Sequence, residues 1–249
     1  MRAIETVKLC KSFGALAVAD SIDFAMDEGA RHALIGPNGA GKTSFVNLVS
    51  GVLRPSSGRI MLNGEDVTNL GQAGRVKRGL VRTFQINTLL RRLTVLENVV
   101  LAIAERDGVA GDFIRPAGSH RQPIAEAYEL IEKLGLGDDA LKPVTDLAYG
   151  RQRMTEIAVA LGLRPKVLLL DEPAAGVPAA GVGTIIDLIE RLPPDIAVLL
   201  IDHDMDLVFR IARRITVLVG GRVLIEGPPD AIARDPTVRQ VYLGERKRP

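Results

Sequence analysis

Residues 36–43 read Gly36-Pro37-Asn38-Gly39-Ala40-Gly41-Lys42-Thr43, which fits the pattern G-x-x-x-x-G-K-[ST]. A stretch from Ala30 to Ile35, which ends in three apolar residues, precedes this loop, and a helical pattern from Thr43 to Val49 follows it. Strand, glycine-rich loop and helix in this order can cradle a phosphate, because the glycines let backbone N–H groups converge on an anion at the positive end of the helix. A glycine-rich turn that matches by chance is the alternative. The order of the elements favours a nucleotide-binding loop.

Two residues of this loop have distinct predicted roles. Lys42 is expected to reach the β- and γ-phosphates of a nucleotide. The hydroxyl of Thr43 is placed to bind a Mg²⁺ ion that bridges the same phosphates. The predicted nucleotide contacts are Gly36, Pro37, Asn38, Gly39, Ala40, Gly41, Lys42, Thr43 and Ser44.

The composition describes a globular chain without a strong overall charge. Its 249 residues are 47% apolar, enough for one large α/β domain or a core with an inserted subdomain. The 32 basic and 30 acidic residues leave a formal charge of +2, so the composition does not favour nucleic acid as a partner. The single cysteine, Cys10, excludes an internal disulfide. No apolar stretch approaches the roughly 20 residues that a membrane-spanning helix requires.

Two kinds of β structure are expected. Alternating apolar and polar residues in Ala3–Leu9 and Ile22–Met26, together with the turn Asn63-Gly64, predict an antiparallel region around the phosphate loop. Later in the chain, apolar runs alternate with helical patterns, as in a mostly parallel sheet that is covered on both faces. The expected fold class is therefore α/β, with a P-loop core, a mostly parallel sheet and an antiparallel β region.

The middle of the chain has a different pattern. Residues 88–162 contain mostly helical periodicity and no clear strand, and Thr94 and Glu97 have the spacing of a capping box. Glycine and proline are frequent around residues 107–123, as in a loop or linker. We predict an inserted helical subdomain at residues 88–162, between the two parts of a nucleotide-binding core at 1–87 and 163–249.

Polar side chains follow three of the expected strands. Asp171 and Glu172 follow the apolar run 167–170, His203 comes shortly after the strand 196–201, and Gln85 ends a strand that begins at Leu80. Ligands bind at the carboxyl ends of parallel strands, so Asp171 is predicted to hold Mg²⁺ and Glu172 to orient or deprotonate an attacking water. A simple turn is the alternative for the two acids, and a structural cap or surface residue is the alternative for His203.

The order of these elements resembles the ATP-binding subunit of an ABC transporter across essentially the whole chain. That family has the same succession of phosphate loop, strand-end glutamine, helical insert, glycine-containing helix start, Asp-Glu pair and strand-end histidine. The resemblance implies an ATPase with ATP and Mg²⁺ as cofactors. It also implies that Gln85 contacts Mg²⁺ and the attacking water, and that His203 contacts the γ-phosphate. Phe13, between the first two strands, resembles the aromatic residue that stacks on adenine, with core packing as the alternative.

The resemblance alone identifies a second functional segment. Residues 147–152 read Leu147-Ala148-Tyr149-Gly150-Arg151-Gln152 and occupy the place of the family signature L-S-G-G-Q. This segment would cap ATP held by the opposite subunit of a head-to-tail dimer, through Ala148, Tyr149 and Gly150. Ala148 lacks the serine hydroxyl of the signature, and Pro178 stands where the family usually has aspartate. These departures predict a composite site that is weaker than its partner site.

Within the family, the chain resembles in particular the ATPase of branched-chain amino acid importers, in the larger of its two forms. The likeness rests on the variant signature, the Gly- and Pro-containing insert around residues 107–123, Glu172-Pro173-Ala174-Ala175-Gly176, Asp202-His203-Asp204-Met205 and Val241-Tyr242-Leu243-Gly244-Glu245. Importers of urea, amides or aromatic acids could look alike. The solute and the direction of transport are therefore implied only by resemblance.

The resemblance further implies a location and a set of partners. The chain would lie peripherally on the cytoplasmic face of the cell membrane, with permease subunits and a second ATP-binding subunit in a homodimer or a homologous heterodimer. A solute-binding protein would take part indirectly, and no nucleic acid is expected. Two other classes remain open. A soluble ABC ATPase of translation or DNA repair would normally need fused twin domains or a long coiled coil, and a non-hydrolytic nucleotide switch could dispense with Glu172.

Overall fold

The structure is a computed structural model that describes residues 1–83, 89–109 and 121–243. Contacts group the chain into two compact units. Unit 1 comprises Met1–Val81, Lys166–Glu172 and Pro193–Pro249, and unit 2 comprises Arg82–Pro165 and Pro173–Leu192. These bounds differ from the predicted core and helical subdomain, and the predicted division of the chain stays a prediction.

An antiparallel sheet of four strands forms one layer of unit 1. Its strands are β1 (Arg2–Phe13), β2 (Leu16–Asp27), β4 (Ser57–Leu62) and β5 (Glu65–Asp66), in the order β2-β1-β4-β5. Asn63 and Gly64 have φ values of +49° and +83°, as a two-residue hairpin turn requires. The predicted antiparallel region is confirmed. β1 and β2 are longer than their sequence patterns indicated, because register shifts interrupt the alternation of apolar and polar residues.

The second sheet is mostly parallel, with the strand order β10-β9-β3-β8-β7-β6. Its strands are β3 (Arg31–Ile35), β6 (Leu80–Thr83), β7 (Val167–Asp171), β8 (Ala197–Ile201), β9 (Arg214–Val219) and β10 (Arg222–Gly227). β8 is parallel to β3 and β7, and β9 is parallel to β3, whereas β10 is antiparallel to β9. Every residue of β7 and β8 is buried, as the continuous apolar runs predicted. The predicted α/β fold class is confirmed.

The helices that the structure describes in unit 1 are α1 (Lys42–Ser50), α2 (Gln72–Val76), α7 (Met205–Ile211), α8 (Pro229–Arg234) and α9 (Pro236–Leu243). The helical pattern from Thr43 to Val49 predicted α1, whereas no pattern predicted α2 and α9. The buried side chain of Arg75 in α2 donates hydrogen bonds to the carbonyl oxygens of Leu48 and Val49 at the end of α1. Because these partners are 27 and 26 residues away in the sequence, no local pattern reveals the contact.

The core of unit 1 contains the apolar side chains of both sheets and the buried face of α1. Phe45 of α1 is fully buried and meets Phe24 of β2 edge to face, with ring centroids 5.3 Å apart. Leu34 of β3, two residues before the phosphate loop, belongs to the same cluster. The loop is therefore anchored at both ends, by a buried strand and by a helix packed into the core.

Unit 2 is mostly helical in its described part. Its helices are α3 (Val95–Arg106), α4 (Arg121–Lys133), α5 (Tyr149–Gly162) and α6 (Ala179–Glu190). The predicted capping box at Thr94 and Glu97 is present at the start of α3. Arg106 at the end of α3 donates to Glu126 of α4 and to the carbonyl oxygen of Gly162 in α5, so one guanidinium joins three helices. Among the helices of the described residues, none has the length and apolar character needed to cross a bilayer.

Candidate functional site

The phosphate loop connects the end of β3 to the start of α1. A Cβ atom on Gly36 would lie 2.3 Å from the carbonyl oxygen of Leu218. One on Gly41, where φ is +101°, would lie 2.5 Å from the carbonyl oxygen of Val18. Glycine is therefore required at both positions, because any side chain would displace neighbouring backbone.

Lys42 is the first residue of α1, and its ammonium group binds to the loop itself. Its Nζ atom donates to the carbonyl oxygens of Gly36 at 2.6 Å and Pro37 at 3.0 Å. A phosphate oxygen would compete well for this ammonium group, because charge-assisted hydrogen bonds are the stronger ones. Solvent reaches Pro37, Asn38, Gly39, Gly41, Thr43 and Ser44, whereas Gly36 and Ala40 are buried.

Three neighbouring parallel strands bring the other predicted residues of unit 1 to the same edge of the sheet. β8 lies between β3 and β7. Leu34 of β3 is paired with Ile201 of β8, which is paired with Asp171 of β7. The phosphate loop, His203 and Glu172 follow these three strand ends. The sequence-predicted loop, acid and histidine therefore share one edge.

Asp171 and Glu172 differ in their surroundings although they are adjacent. Asp171 is the buried last residue of β7, whereas the Glu172 side chain is 31% exposed. The backbone of Glu172 has φ of +46°, an uncommon conformation for a residue other than glycine, and its N–H donates to the carbonyl oxygen of Ile201 at 2.8 Å. The sheet thus fixes the backbone of Glu172 in a strained turn while its carboxylate stays accessible.

His203 lies beside Glu172 in unit 1. Its Nδ1 atom is 3.6 Å from Oε1 of Glu172 and 3.7 Å from Oδ1 of Asp202, and its side chain is 75% exposed. Asp202 is 4% exposed, and its Oδ1 accepts the backbone N–H groups of His203 and Asp204 at 2.7 and 2.9 Å. Burial raises the pKa of Asp202, and the two hydrogen bonds oppose this shift. Asp202 therefore holds the backbone of His203 while the imidazole stays accessible to a ligand.

Sequence reasoning gave no role to Asp202. The available signal was its position two residues before Asp204, because an aspartate side chain often accepts the backbone N–H two residues further on. Asp204 is the N-cap of α7, where its side chain accepts the N–H groups of Asp206 and Leu207. Two successive aspartate side chains thus shape the turn that carries His203.

The residues predicted to hold a metal are Thr43, Asp171 and Gln85. The Thr43 hydroxyl and the Asp171 carboxylate are hard oxygen donors, which suit Mg²⁺. Within residues 1–83, 89–109 and 121–243, no group of three or more His, Cys, Asp or Glu side chains could hold a metal ion. This donor set fits a cation that completes its coordination with nucleotide phosphates and water. Gln85, the third predicted metal contact, lies outside the described residues.

Phe13 is the last residue of β1, directly before the turn to β2. Its side chain is 52% exposed, and Lys11 Nζ lies 5.0 Å from the ring centroid. The alternative of core packing is therefore wrong. An aromatic ring in this position is accessible to a planar base.

The signature segment lies at the start of α5 in unit 2. Ala148 is the exposed N-cap residue, and Tyr149 and Gly150 are half-buried in the first turn. Nε2 of Gln152 donates to the carbonyl oxygen of Leu147 at 2.9 Å, which closes the segment on itself. Ala148 has no hydroxyl to accept the N–H groups of the first turn. The start of α5 therefore lacks a side-chain cap.

Comparison with known families identifies the chain. A family model described as ABC transporter matches residues 19–175, which include the phosphate loop, the signature segment and the Asp171-Glu172 pair. The chain belongs to the ABC transporter family. As an ATP-binding cassette of this family it binds nucleotide and is an ATPase. A second model, described as branched-chain amino acid ATP-binding cassette transporter, matches residues 222–248.

Curated relatives of this ABC ATPase match nearly its full length. The high-affinity branched-chain amino acid transport ATP-binding protein BraF of Pseudomonas aeruginosa is 36% identical and covers 97% of this chain and 98% of its own length. The corresponding protein LivG of Escherichia coli is 35% identical, over 95% of this chain and 96% of its own. The lipopolysaccharide export system ATP-binding protein LptB of Haemophilus influenzae is 33% identical, over 99% of both chains.

Solved structures show the same fold as this ABC ATPase. A nucleotide-free ATP-binding cassette from an ABC transporter superimposes with a TM-score of 0.86 at 28% identity, covering 97% of this chain and 99% of its own. An ATP-binding cassette in its ADP conformation gives the same TM-score and identity, over 98% and 99%. These similarities support a nucleotide-binding α/β cassette over nearly all of the chain.

Proposed function

We propose that this ATPase is the hydrolytic subunit of an ABC importer, and that it couples ATP binding and hydrolysis to the uptake of a small polar solute, in particular branched-chain amino acids. The observation that carries the hydrolytic part is the common strand edge of the phosphate loop, Glu172 and His203. The match of residues 222–248 and the names of the relatives support the import of branched-chain amino acids.

ATP binding begins at the phosphate loop in this proposal. Lys42 exchanges its two carbonyl acceptors for oxygens of the β- and γ-phosphates, at the N-terminus of α1. Thr43, Asp171 and Gln85 would hold Mg²⁺, which would neutralise phosphate charge once it is bound with ATP. Phe13 stacks on the adenine ring. Binding thereby places the γ-phosphate at the strand edge that carries Glu172.

Hydrolysis requires a base and a group that contacts the γ-phosphate. Glu172 accepts a proton from the attacking water, and its accessible carboxylate on a fixed backbone suits that task. His203 contacts the γ-phosphate, because its exposed imidazole can turn from Glu172 towards a ligand. Gln85 orients the water. Catalysis is therefore positioning and charge neutralisation rather than covalent chemistry.

A second ATP-binding subunit completes each site. Ala148, Tyr149 and Gly150 of one subunit contact the ATP that the phosphate loop of the other subunit holds. The partner subunit is a second copy or a homologue, and transmembrane permease subunits and a solute-binding protein complete the importer. The ATPase lies peripherally on the cytoplasmic face of the cell membrane. We expect the purified chain alone to be largely monomeric with low turnover.

One specific observation favours a second candidate function. The similarity to LptB extends over 99% of both chains at 33% identity. A role in lipopolysaccharide export is therefore the main alternative to the importer function. The match of the C-terminal residues 222–248 to the branched-chain amino acid model favours the importer.

Reconstitution of the assembled transporter tests the proposal. The tagged ATPase is purified from membranes with its permease, placed in liposomes and supplied with ATP and labelled solutes. We expect uptake of leucine, isoleucine or valine that is absent with Glu172→Gln, and no transfer of lipopolysaccharide. Uptake of urea or aromatic acids alone would show that the transported solute is not a branched-chain amino acid. Co-purification with ribosomes instead of permease would contradict the importer.

A further inference from the structure

The start of α5 contacts the loop that follows Glu172 in the sequence. The ring of Tyr149 packs against Gly176: a Cβ atom there would lie 3.0 Å from Cε1 and 3.1 Å from Cζ of the tyrosine. A Cβ atom on Gly150 would lie 3.6 Å from Cγ1 of Val177. All of these residues belong to unit 2. The two segments therefore form one packed surface inside a single unit.

Gly176 fits this surface for two independent reasons. Its φ of +75° is a left-handed conformation that glycine adopts without strain. The tyrosine ring also occupies the space that any side chain at this position would need. The turn at Gly176 and the ring of Tyr149 are thus matched to each other.

Arg153 fixes the orientation of Tyr149. It lies one turn further along α5, where residues four apart share a face of the helix. Its Nη2 atom donates to Oη of Tyr149 at 2.9 Å, and its guanidinium carbon lies 5.2 Å from the ring centroid. The hydroxyl and the ring of Tyr149 are both held by the same guanidinium.

Arg153 is itself fixed by a buried ion pair. Its side chain is 5% exposed, and Nη1 donates at 2.7 Å to Oε2 of Glu156, whose side chain is 8% exposed. Burial raises the pKa of Glu156, and the hydrogen bond from Arg153 opposes that shift. Buried ion pairs are often no more stabilising than well-packed apolar residues. The Arg153–Glu156 pair therefore fixes the position of the guanidinium group.

We propose that Arg153 is a positioning residue that, through Tyr149, holds the loop from Pro173 to Val177 against the signature helix. Nucleotide contact at Ala148, Tyr149 and Gly150 is thereby transmitted to the peptide that follows Glu172. The inference rests on the proposed function, because that function assigns the roles of the signature segment and of Glu172. The Arg153–Tyr149–Gly176 chain of contacts is the physical link.

The first test is Tyr149→Phe, which keeps the ring against Gly176 and removes the oxygen that Arg153 binds. In the reconstituted transporter, we expect kcat for ATP hydrolysis to fall about tenfold while KM for ATP stays within about twofold. The thermal unfolding midpoint should fall by only a few degrees, because the packed ring remains although Arg153 Nη2 loses its acceptor. Tyr128→Phe, at an exposed tyrosine of α4, is the matched control and should keep the parental kcat. An unchanged kcat in Tyr149→Phe overturns the proposal.

A double-mutant cycle separates this role from direct nucleotide contact. Arg153→Met combined with Glu156→Met removes the ion pair without leaving one buried charge unpaired. In that background, Tyr149→Phe should cause no further loss of kcat. If the two effects multiply instead, the hydroxyl of Tyr149 acts without Arg153 and the proposal is wrong. If the double variant does not fold, the single Tyr149→Phe variant still decides.

Glu172→Gln, measured in the same assay, distinguishes the two levels of inference. Loss of hydrolysis in Glu172→Gln with a parental kcat in Tyr149→Phe contradicts only the positioning role of Arg153. Parental hydrolysis in Glu172→Gln contradicts the proposed function itself.

Discussion

The phosphate loop and the signature segment both begin helices, but they are held in place in different ways. At the start of α1, backbone groups shape the loop, since Gly36 and Gly41 approach carbonyl oxygens and Lys42 binds carbonyl oxygens. At the start of α5, side chains shape the segment, through Tyr149 and Arg153. A site built from backbone tolerates few residue types and leaves a strict pattern. A site held by side chains can be formed by several combinations of residues, so its sequence pattern varies.

The strongest test of the first region compares Glu172→Gln with Lys42→Ala. If Glu172 is the general base, its amide variant should keep ATP binding and lose about 10²- to 10⁴-fold in kcat. Lys42→Ala should weaken both binding and turnover if the ammonium group contacts the phosphates in every state, as we propose. Phosphate release and titration with a fluorescent ATP analogue measure the two quantities. Glu129→Gln, at an exposed glutamate of α4, is the control. Equal turnover in Glu172→Gln and the parent would remove the base assignment.

A second prediction concerns the surface of unit 2. The side chain of Leu90 is 53% exposed. Its backbone is nevertheless fixed, because the buried side chain of Asn98 accepts the N–H of Leu90 at 2.8 Å and donates to its carbonyl oxygen at 3.2 Å. Arg91 follows it and is exposed. We propose this turn as the dock of a permease helix. An exposed loop without a partner is the alternative.

The double variant Leu90→Asp with Arg91→Glu should abolish stimulation of the ATPase by the reconstituted permease and leave basal ATP binding intact. Val52→Asp with Arg54→Glu places the same change on exposed residues of unit 1 and should keep full stimulation. The adjacent Leu89 is 7% exposed and is unsuited to the test, because its substitution would disturb the core. Full stimulation of the Leu90 and Arg91 variant would place the dock elsewhere.

The third prediction addresses the missing hydroxyl of the signature. Ala148→Ser should strengthen ATP-dependent dimerisation by at most about 1.5 to 3 kcal/mol, the net value of a hydrogen bond to a charged group. Because residue 148 is the N-cap of α5, the serine should also stabilise the monomer by about 1 kcal/mol. Sedimentation with and without ATP, in the Glu172→Gln background, separates the two effects. Ala231→Ser, in the first turn of α8, is the control. A more stable monomer with unchanged dimer affinity would show that Tyr149 or Arg151 already compensates.

The last prediction is a pH dependence that belongs to unit 1. His32 of β3 is 2% exposed, its Nε2 lies 2.8 Å from Oγ1 of Thr216, and that hydroxyl donates to Glu226 at 2.8 Å. Burial lowers the pKa of His32 to about 4, although the Glu226 carboxylate opposes the shift and Arg214 adds to it. Because the pKa of His32 is lower in the folded protein than in the unfolded protein, His32 contributes its full stabilisation at pH values above the pKa of the unfolded state. That contribution is lost as the pH falls towards the folded value.

We expect the His32 contribution to the free energy of unfolding to fall by about 2 kcal/mol between pH 7.5 and pH 5. Urea unfolding of the parent and of His32→Gln at both pH values measures it, and the variant should lose the part of the pH dependence that His32 causes. Identical pH dependences of His32→Gln and the parent would assign the effect to other groups.

The sequence predicted most of the fold because its elements carry local signals. The capping box at Thr94, the Asn63-Gly64 turn and the buried runs of β7 and β8 were all predicted and confirmed. α2 was missed because it is short and its buried Arg75 binds carbonyl oxygens of α1, which are remote in sequence. In the candidate site, spacing predicted the loop and the strand-end residues, whereas the positive φ of Glu172 has no sequence signal.

The sequence by itself determined the residue types at the phosphate loop and the strand ends, because phosphate chemistry and backbone sterics leave few alternatives there. Only the tertiary structure decided which groups hold those residues. It showed that Asp202 anchors His203, that Asn98 fixes Leu90, and that Arg153 orients Tyr149. The physical reason is that a side chain selects partners by distance and burial once the chain has folded. Polar side chains such as arginine and asparagine have many possible partners in an unfolded sequence and few in a packed interior.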